Sequence, residues 1–526
     1  MRIDVIEDQG SLARLKDNWN AVYDADPSAQ LFLSWDWLSG WLPTVQGPWL
    51  ILAAREDKSP DGQYCAFLPL RIETRLNEAG IFVNELKMAG NHAADYTGLI
   101  ALPNAEARAV AAFGRFLKQM HWARLHLDNF RAARSRLDLL LAQFPKAGFA
   151  TTEIDRVGKL DGIDNNVCPY VDLPGDWDTY LATLSANTRQ KLRRVLRLVD
   201  AGDLGFRITH ATRDTVARDL DALLRFWAIK WGPAKGNTVE GLVRSNRIML
   251  LRSFERGLLF LPVLWQGDRP LAALATFVDH RKRSLLFYMA GRDGTFDGAP
   301  PGLILHGHSI RYAVANGFLR YDFLRGNEDY KYSFGAREAR IATFTIATRD
   351  GRNIGSQIEP RTLPAVLKAV TSQHQAGRLN EAQRGYQQVL SSAPRHPDAL
   401  HRLGQLLSGR GQHLEAVRIF RQLCRIKPEA TKAWLCLAQA CETVGRYSEA
   451  ANAYRELATR APNVPAFAGK LGQMLSRVAA EKEKRVPVAG SDHDAPLLPD
   501  AATVGAAMTA DAHADVAGSH LGTAAN

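Results

Sequence analysis

Between residues 364 and 480 the chain repeats itself every 34 residues, and no other feature constrains its fold as tightly. Gly377, Gly411 and Gly445 recur at that interval, as do Glu381, Glu415 and Glu449; Ala382, Ala416 and Ala450; Tyr386, Phe420 and Tyr454; and Pro394, Pro428 and Pro462. A repeat of this length holds a pair of helices: glycine marks the turn between them, alanine lets them approach closely, the aromatic fills the groove, and proline ends the second helix. Ala399, Ala433 and Phe467, with Leu403, Leu437 and Leu471, carry the register into a last helix that caps the stack. Residues 364–480 are therefore expected to form an all-α solenoid of three helix pairs plus a capping helix, with a surface suited to docking a protein partner.

This is the pattern of a tetratricopeptide array, and composition bounds the rest. A chain of 526 residues has room for about three domains, and 46% hydrophobic residues suffice to build their cores. After Arg485 the sequence turns to Ala, Gly, Asp, His and Pro, which cannot bury enough surface to offset chain entropy, so 486–526 is expected to be a disordered tail. That tail holds five Asp and no Lys or Arg, so of the net charge of +11 the remainder carries +11 − (−5) = +16, which favours anionic partners. The start, MRIDVIEDQG, lacks the apolar stretch of a signal peptide, and the longest uncharged run, 37–54, is interrupted by Pro43, Gly47 and Pro48. A cytoplasmic protein with no transmembrane segment is expected. Cys65, Cys168, Cys424, Cys436 and Cys441 lack metal-ligand spacing, so no metal and no disulfide framework is expected.

The first 360 residues read as two versions of one α/β unit, at 1–165 and 166–360. In the first, helices over 12–23 and 34–41 precede strands over 49–54 and 64–72, and a helix over 106–120 precedes a strand over 125–130. In the second, helices over 214–231 and 240–257 precede strands over 259–265, 271–278 and 284–289. A loop with glycines at 291, 294, 298 and 302 then leads into a helix over 303–316 and a strand over 319–324. A Gly-rich loop entering a helix leaves backbone N–H groups free to face an anion. Beyond the last strand crowd Asp322, Arg325, Glu328, Asp329, Tyr330 and Lys331, a setting for acid/base chemistry that equally describes solvated charges after any strand. The most basic segment, Arg189 to Arg197, puts Lys191, Arg194 and Arg197 on one side of a helix and leaves Leu192, Val195 and Leu196 to pack. No nucleic-acid-binding module surrounds it.

Several short stretches in series, FLSWDW at 32–37, FLPL at 67–70, Asp95-Tyr96, Asn187-Thr-Arg189 with Leu192-Arg193-Arg194, Pro301-Gly302, DFLRG at 322–326 and Tyr330-Lys331, resemble the CelD-type acetyltransferases of the GNAT superfamily. That branch is associated with cellulose and exopolysaccharide synthesis and is similar to the peptidoglycan-bridging Fem transferases, which carry two GNAT-like halves. The resemblance, which spans 32–335, implies tandem GNAT-like mixed sheets with helices and transfer of an acyl group from acyl-CoA (acetyl-CoA) to an amine-bearing acceptor, such as an amino sugar. It implies catalytic roles for Asp322 or Glu328 as base, Tyr330 as acid and Lys331 beside the acyl oxygen. It further implies contacts to the cofactor from Arg292, Gly298, Gly302, Arg193 and Arg194, and to the acceptor from Asp95, Tyr96, Arg189 and Arg325. The usual GNAT pyrophosphate motif is absent from 291–310. Acyl-CoA use thus rests on the resemblance, and two alternatives stand beside it: an aminoacyl-tRNA donor, as in the Fem relatives, and a catalytically silent adaptor.

Overall fold

The computed structural model describes residues 1–56, 62–90, 94–159 and 161–485, so the tail expected at 486–526 and His92 lie outside the described residues. The chain divides into two compact units, Met1–Arg446 and Tyr447–Asn526.

The first unit contains two eight-stranded sheets. One runs in the order Arg2–Ile6, Trp49–Arg55, Ala66–Leu76, Phe82–Met88, Arg124–Phe130, Ala342–Thr348, Phe149–Glu153, with Ile100–Ala101 pairing on Ala66–Leu76. The other runs Arg337–Arg340, Val167–Asp172, Arg320–Asp322, Ser284–Arg292, Arg269–Asp279, Pro262–Gln266, Phe206–His210, with Leu259–Phe260 pairing on Arg269–Asp279. Each sheet is antiparallel except at one junction bridged by a helix. Phe82–Met88 lies parallel to Arg124–Phe130 across helix Glu106–Leu117, and Ser284–Arg292 lies parallel to Arg320–Asp322 across helix Pro301–Ala315. A parallel pair needs such a crossover, and one occurs in each sheet.

The boundary expected at 165/166 divides the sequence but not the sheets. Val167–Asp172 pairs with Arg320–Asp322 in the second sheet, whereas Ala342–Thr348, from the far end of the second half, pairs with both Arg124–Phe130 and Phe149–Glu153 in the first. The second half thus lends one strand, Ala342–Thr348, to the first sheet. The two crossing segments run together, with Ile341 N donating to Asn166 O and Arg340 pairing with Asp164.

Burial follows from this layering. One core, including Trp19, Phe32, Trp37 and Tyr96 from the first half and Leu220, Phe277, Met289 and Leu324 from the second, draws on both sheets. A second core holds residues such as Leu50, Leu68, Leu86 and Leu125 with Phe113 of helix Glu106–Leu117, and a third sets Leu192 and Leu196 against Ile304, Leu285 and Tyr321. The helix expected over 12–23 is two, Gln9–Arg14 and Lys16–Ala25, with Leu15 between them.

The repeats begin in this unit as helices Leu363–Gln375, Leu379–Ser392, Pro397–Gly409, His413–Ile426 and Thr431–Thr443. Gly377, Gly411 and Gly445 take φ of +74°, +75° and +74°, the left-handed turn that glycine adopts without a Cβ penalty. Ala382, Ala416, Tyr386 and Phe420 are buried, as the period implies. The segment leading into the first helices is tied to strand Phe82–Met88 of the first sheet: Asn84 N donates to Asn353 Oδ1, Asn84 Nδ2 donates to Thr362 Oγ1, and Asn84 Oδ1 accepts from Glu359 N and Asn353 Nδ2. Gln388 pairs both ways with the backbone of Phe82. In the second unit, helices Tyr447–Arg460 and Pro465–Arg485 pack on each other, with Ala450 and Tyr454 buried on the first and Met474 on the second.

Candidate functional site

The local geometry starts with the parallel strands. They pair only over Ser284–Leu286 and Arg320–Asp322 and then part. Phe323 N and Gly326 N turn to Pro169 O and Val167 O, and Ser284–Arg292 continues along Arg269–Asp279 alone. In that second ladder the register slips between Ala275 and Thr276, leaving Tyr288 as an extra residue, a bulge of the kind found where a strand is re-aimed near a site.

Past the strand, the loop folds on Asp293. Its carboxylate accepts from Thr295 N and Oγ1 and pairs with Arg269, and these hydrogen bonds, Thr295 first, hold its pKa down at about 2. The helix then starts at Pro301, so the N–H groups of Gly302 and Leu303 have no intrahelical acceptor. A side chain at Gly302 would meet nothing within 4 Å, whereas one at Gly298 would meet the Phe296 ring at 2.4 Å. Helix Ala186–Asp200, capped by Ser185, lies alongside: Leu192 Cδ1 would be 2.3 Å from a Cβ at Gly307, and Asp200 pairs doubly with Arg311. These contacts run in the same order along both helices, so their N-terminal ends share one edge. Arg193 and Arg194 are exposed on that helix and Arg189 is half-buried; Arg193 reaches Asp178 at 3.4 Å. Arg292 is exposed and makes no ion pair among the described residues.

The polar residues after the second parallel strand lie mostly inside. Asp322 is 2% exposed; Oδ1 accepts from the Tyr96 hydroxyl at 2.7 Å and from Leu324 N at 2.8 Å, while Oδ2 accepts from Arg131 Nη1 at 2.9 Å. Arg131 also stacks over the Tyr96 ring at 4.3 Å. Tyr96 and Arg131 come from the first half, so the Asp322 carboxylate joins the two halves. Burial, reinforced by the charge of Asp322, pushes the Tyr96 hydroxyl well above its ordinary pKa, and the same two causes raise Cys168 to about 12. Arg325 forms the companion link, its Nη2 2.8 Å from Asp95 Oδ1 and its Nη1 3.3 Å from Asn129 Oδ1.

Lys331 is also 2% exposed. Its Nζ donates to the carbonyls of Phe323, Arg325 and Gly326 at 3.2, 2.8 and 2.9 Å and pairs with Glu328 at 2.8 Å. The ammonium therefore holds the 323–326 loop, in which Leu324 and Gly326 have φ of +56° and +98°. This differs from the expected disposition, in which Asp322 and Lys331 face a substrate: the donors of Lys331 are taken up by the loop, and both Asp322 oxygens are engaged. Glu328 is half-buried and Tyr330 is 43% exposed, so these two reach solvent.

Beside the place where the strands part, aromatic rings pack together. His306 lies 4.6 Å from Phe287, 5.3 Å from Phe323, 5.5 Å from Phe334 and 5.7 Å from Tyr330 between ring centroids. Its Nδ1 is 3.0 Å from the Tyr321 hydroxyl, and burial, aided by the charge of Lys331, lowers its pKa to about 3, so it is neutral at pH 7. The structure thus brings together Asp322 with Tyr96, Arg325 with Asp95, and Lys331 with Glu328. Among the described residues no hydrogen bond or ion pair joins Arg292, Gly298, Arg193 or Arg194 to them, Arg193 pairing instead with Asp178. Arg131, which the sequence reading missed, stands at the end of an ordinary strand with no motif to mark it. Among the described residues no group of three or more His, Cys, Asp or Glu is placed to hold a metal ion, and no helix is long and apolar enough to cross a membrane.

Residues 186–332 match the family model described as acetyltransferase (GNAT) domain, and residues 375–457 match that of anaphase-promoting complex, cyclosome, subunit 3. No curated protein matches the chain. Among solved structures, it is similar to FemX at 12% identity, covering 66% of this chain and 97% of that one with a TM-score of 0.44. A conserved protein of unknown function from Bacteroides thetaiotaomicron is similar at 16% identity, covering 66% and 99% with a TM-score of 0.41. The Sgt2 TPR domain from Aspergillus fumigatus is similar at 22% identity, covering 27% and 93% with a TM-score of 0.21. The chain carries a GNAT-type acetyltransferase domain over residues 186–332, joined to a tetratricopeptide-like repeat region.

Proposed function

We propose that the chain is an N-acyltransferase that moves an acyl group from acyl-CoA to an amine acceptor such as an amino sugar, in exopolysaccharide or cell-envelope synthesis, while its repeats dock a protein partner. The observation that carries this reading is the strand, loop, helix and parallel strand over 284–322, inside the matched acetyltransferase domain, with the bulge at Tyr288 and the bare N–H groups of Gly302 and Leu303. In this reading those amides, near Gly298 and Arg292, receive the cofactor pyrophosphate, and Arg193 and Arg194 on the neighbouring helix add positive charge. Glu328 takes the proton from the attacking amine, and Tyr330 returns one to the departing thiolate. Asp322 and Lys331 act one step removed: they fix the loop that carries Arg325, and with Asp95, Tyr96 and Arg189 they shape the acceptor side.

A specific observation favours a second reading, a non-catalytic adaptor: the rings of Phe287, His306, Phe323 and Phe334 already pack beside the parting strands, where a donor arm would need room. Titration calorimetry with acetyl-CoA separates the two. Binding that weakens in Arg193→Glu/Arg194→Glu, together with acetyl transfer to an amino sugar detected by mass spectrometry, is expected of the transferase. Absence of binding at about 1 mM ligand rejects it in favour of the adaptor. An aminoacyl-tRNA donor is tested in parallel by gel shift with charged tRNA.

A further inference from the structure

We propose that the cavity lined by the second sheet, the segment 27–31 and Arg131 binds a small organic oxyanion, a carboxylate or phosphate ester with a short apolar body. The proposal goes beyond the transferase reading, because this cavity shares Asp322 with that site and otherwise lies away from it. It touches Ser284 and Leu286 at the start of one parallel strand and Arg320 and Asp322 on the other, whereas the Gly302 loop follows the far end of Ser284–Arg292. At about 3.3 Å per residue, the two ends of that strand are roughly 26 Å apart.

The cavity has a volume of about 380 Å³, enough for a small organic molecule. Three cations, Arg131, Lys282 and Arg320, face three carboxylates, Asp172, Asp279 and Asp322, in its lining. What distinguishes the two sets is how much hydrogen-bonding capacity each has left. Asp322 accepts from Tyr96, Leu324 and Arg131; Asp279 accepts from the Tyr23 hydroxyl and Lys282 N; Asp172 is paired with Arg320 and Arg337. Both oxygens of the buried Asp279 and Asp322 are therefore answered, and Asp172 accepts at Oδ1, its Oδ2 lying 3.6 Å from Arg337 at the half-exposed rim. The donors are not spent. Arg131 uses one of its five N–H groups, on Asp322; Arg320 engages Asp172 through Nε and Nη2 and leaves Nη1; Lys282 donates to the carbonyls of Asp24 and Asp26 and keeps a third proton. Gln30, 6% exposed, uses Oε1 to cap Phe32 N, while its Nε2 has no partner. A buried donor without a partner is costly, and an incoming acceptor relieves that cost.

The surplus thus selects for ligand oxygens bearing negative charge and against an ammonium, for which the buried carboxylates Asp279 and Asp322 offer no unanswered oxygen. Ala29, Leu31, Leu286 and Leu319 line the remainder and fit a short apolar body. With three charges of each sign the lining creates no strong field, so hydrogen bonds supply the affinity, and a dissociation constant of about 10 μM to 1 mM is expected.

The test is calorimetry on the full chain with inorganic phosphate, benzoate and glucuronate, and with ethanolamine as the cationic control. Gln30→Glu keeps the acceptor that caps Phe32 and puts a negative charge where the amide nitrogen stands; Arg320→Gln removes a donor at the rim without disturbing the buried Asp322 cluster. At least one anion is expected to bind, and each variant that retains the wild-type circular dichroism spectrum is expected to weaken it about tenfold or more. Binding of phosphate alone identifies the phosphate source, and binding of benzoate or glucuronate identifies the carboxylate source. The proposal is overturned if no anion binds at about 10 mM, if ethanolamine binds in their place, or if both variants bind like wild type.

Discussion

Replacing Lys331 by methionine isolates what its buried ammonium does. Methionine has similar length and no charge, so the packing changes little while the donors to Phe323, Arg325 and Gly326 and the pair with Glu328 vanish. The bonds to Phe323 and Gly326 are buried, and each carbonyl left without a donor costs about 1–3 kcal/mol, giving roughly 2–6 kcal/mol for the two. The Arg325 carbonyl is only part-buried and can turn to water, and the variant avoids the cost of desolvating an ammonium. A net loss of about 3 kcal/mol is therefore expected. It is read as a lower urea midpoint in tryptophan fluorescence and as faster hydrogen exchange at Leu324 and Gly326, whose left-handed backbone then lacks its clamp. If Lys331→Met abolishes acetyl transfer while the urea midpoint and exchange at Leu324 stay as in wild type, the ammonium acts on substrate and the strut account is refuted.

Acid should destabilise the folded chain through His306. Its folded pKa of about 3 lies below the ordinary 6.5, so the unfolded chain takes up the proton first as pH falls. Its contribution is fully present above pH 6.5 and is lost progressively toward pH 3, with about 2 kcal/mol gone at about pH 5; urea unfolding at the two pH values should show that slope in wild type and a smaller one in His306→Gln. Gly404→Ala places a Cβ 2.5 Å from the Phe420 ring and should cost about 1–3 kcal/mol, seen as a lower melting temperature of the helical signal. Asn84→Ala removes the amide that joins the first sheet to Asn353, Glu359 and Thr362, and should cost about 2–4 kcal/mol and raise protease sensitivity near residue 359; an unchanged cleavage pattern would show the repeats to be held by other contacts.

The repeats were legible because a fixed period repeats the same demand at every turn: Gly411 must take a left-handed φ, and Ala416 and Phe420 must be buried, and they are. The Gly-rich loop, helix Pro301–Ala315 and the packing side of the basic helix were legible for the same local reason. The site was legible in its residue types and less so in their roles. A lysine after a strand reads as solvated or catalytic, and only the tertiary fold shows Lys331 enclosed by carbonyls from its own loop. Arg320 and Arg325 are the arginines nearest Asp322 in sequence. Its partner is Arg131, 191 positions away, while Arg320 pairs with Asp172 and Arg325 with Asp95. The placement of Ala342–Thr348 in the first sheet left no trace, because a strand's own pattern records that it is buried and not which sheet receives it.

That lent strand sets a schedule for the chain's birth. The first sheet leaves a place between Arg124–Phe130 and Phe149–Glu153 that only Ala342–Thr348 fills, as in the bond from Asn129 N to Thr343 Oγ1 across 214 positions. At about 5–20 residues per second of synthesis, that gap stays open on the ribosome for roughly 10–40 s. During this time two bare strand edges stay exposed, and a nascent-chain chaperone that shields them should decide the yield of this protein more than the stability of its finished form.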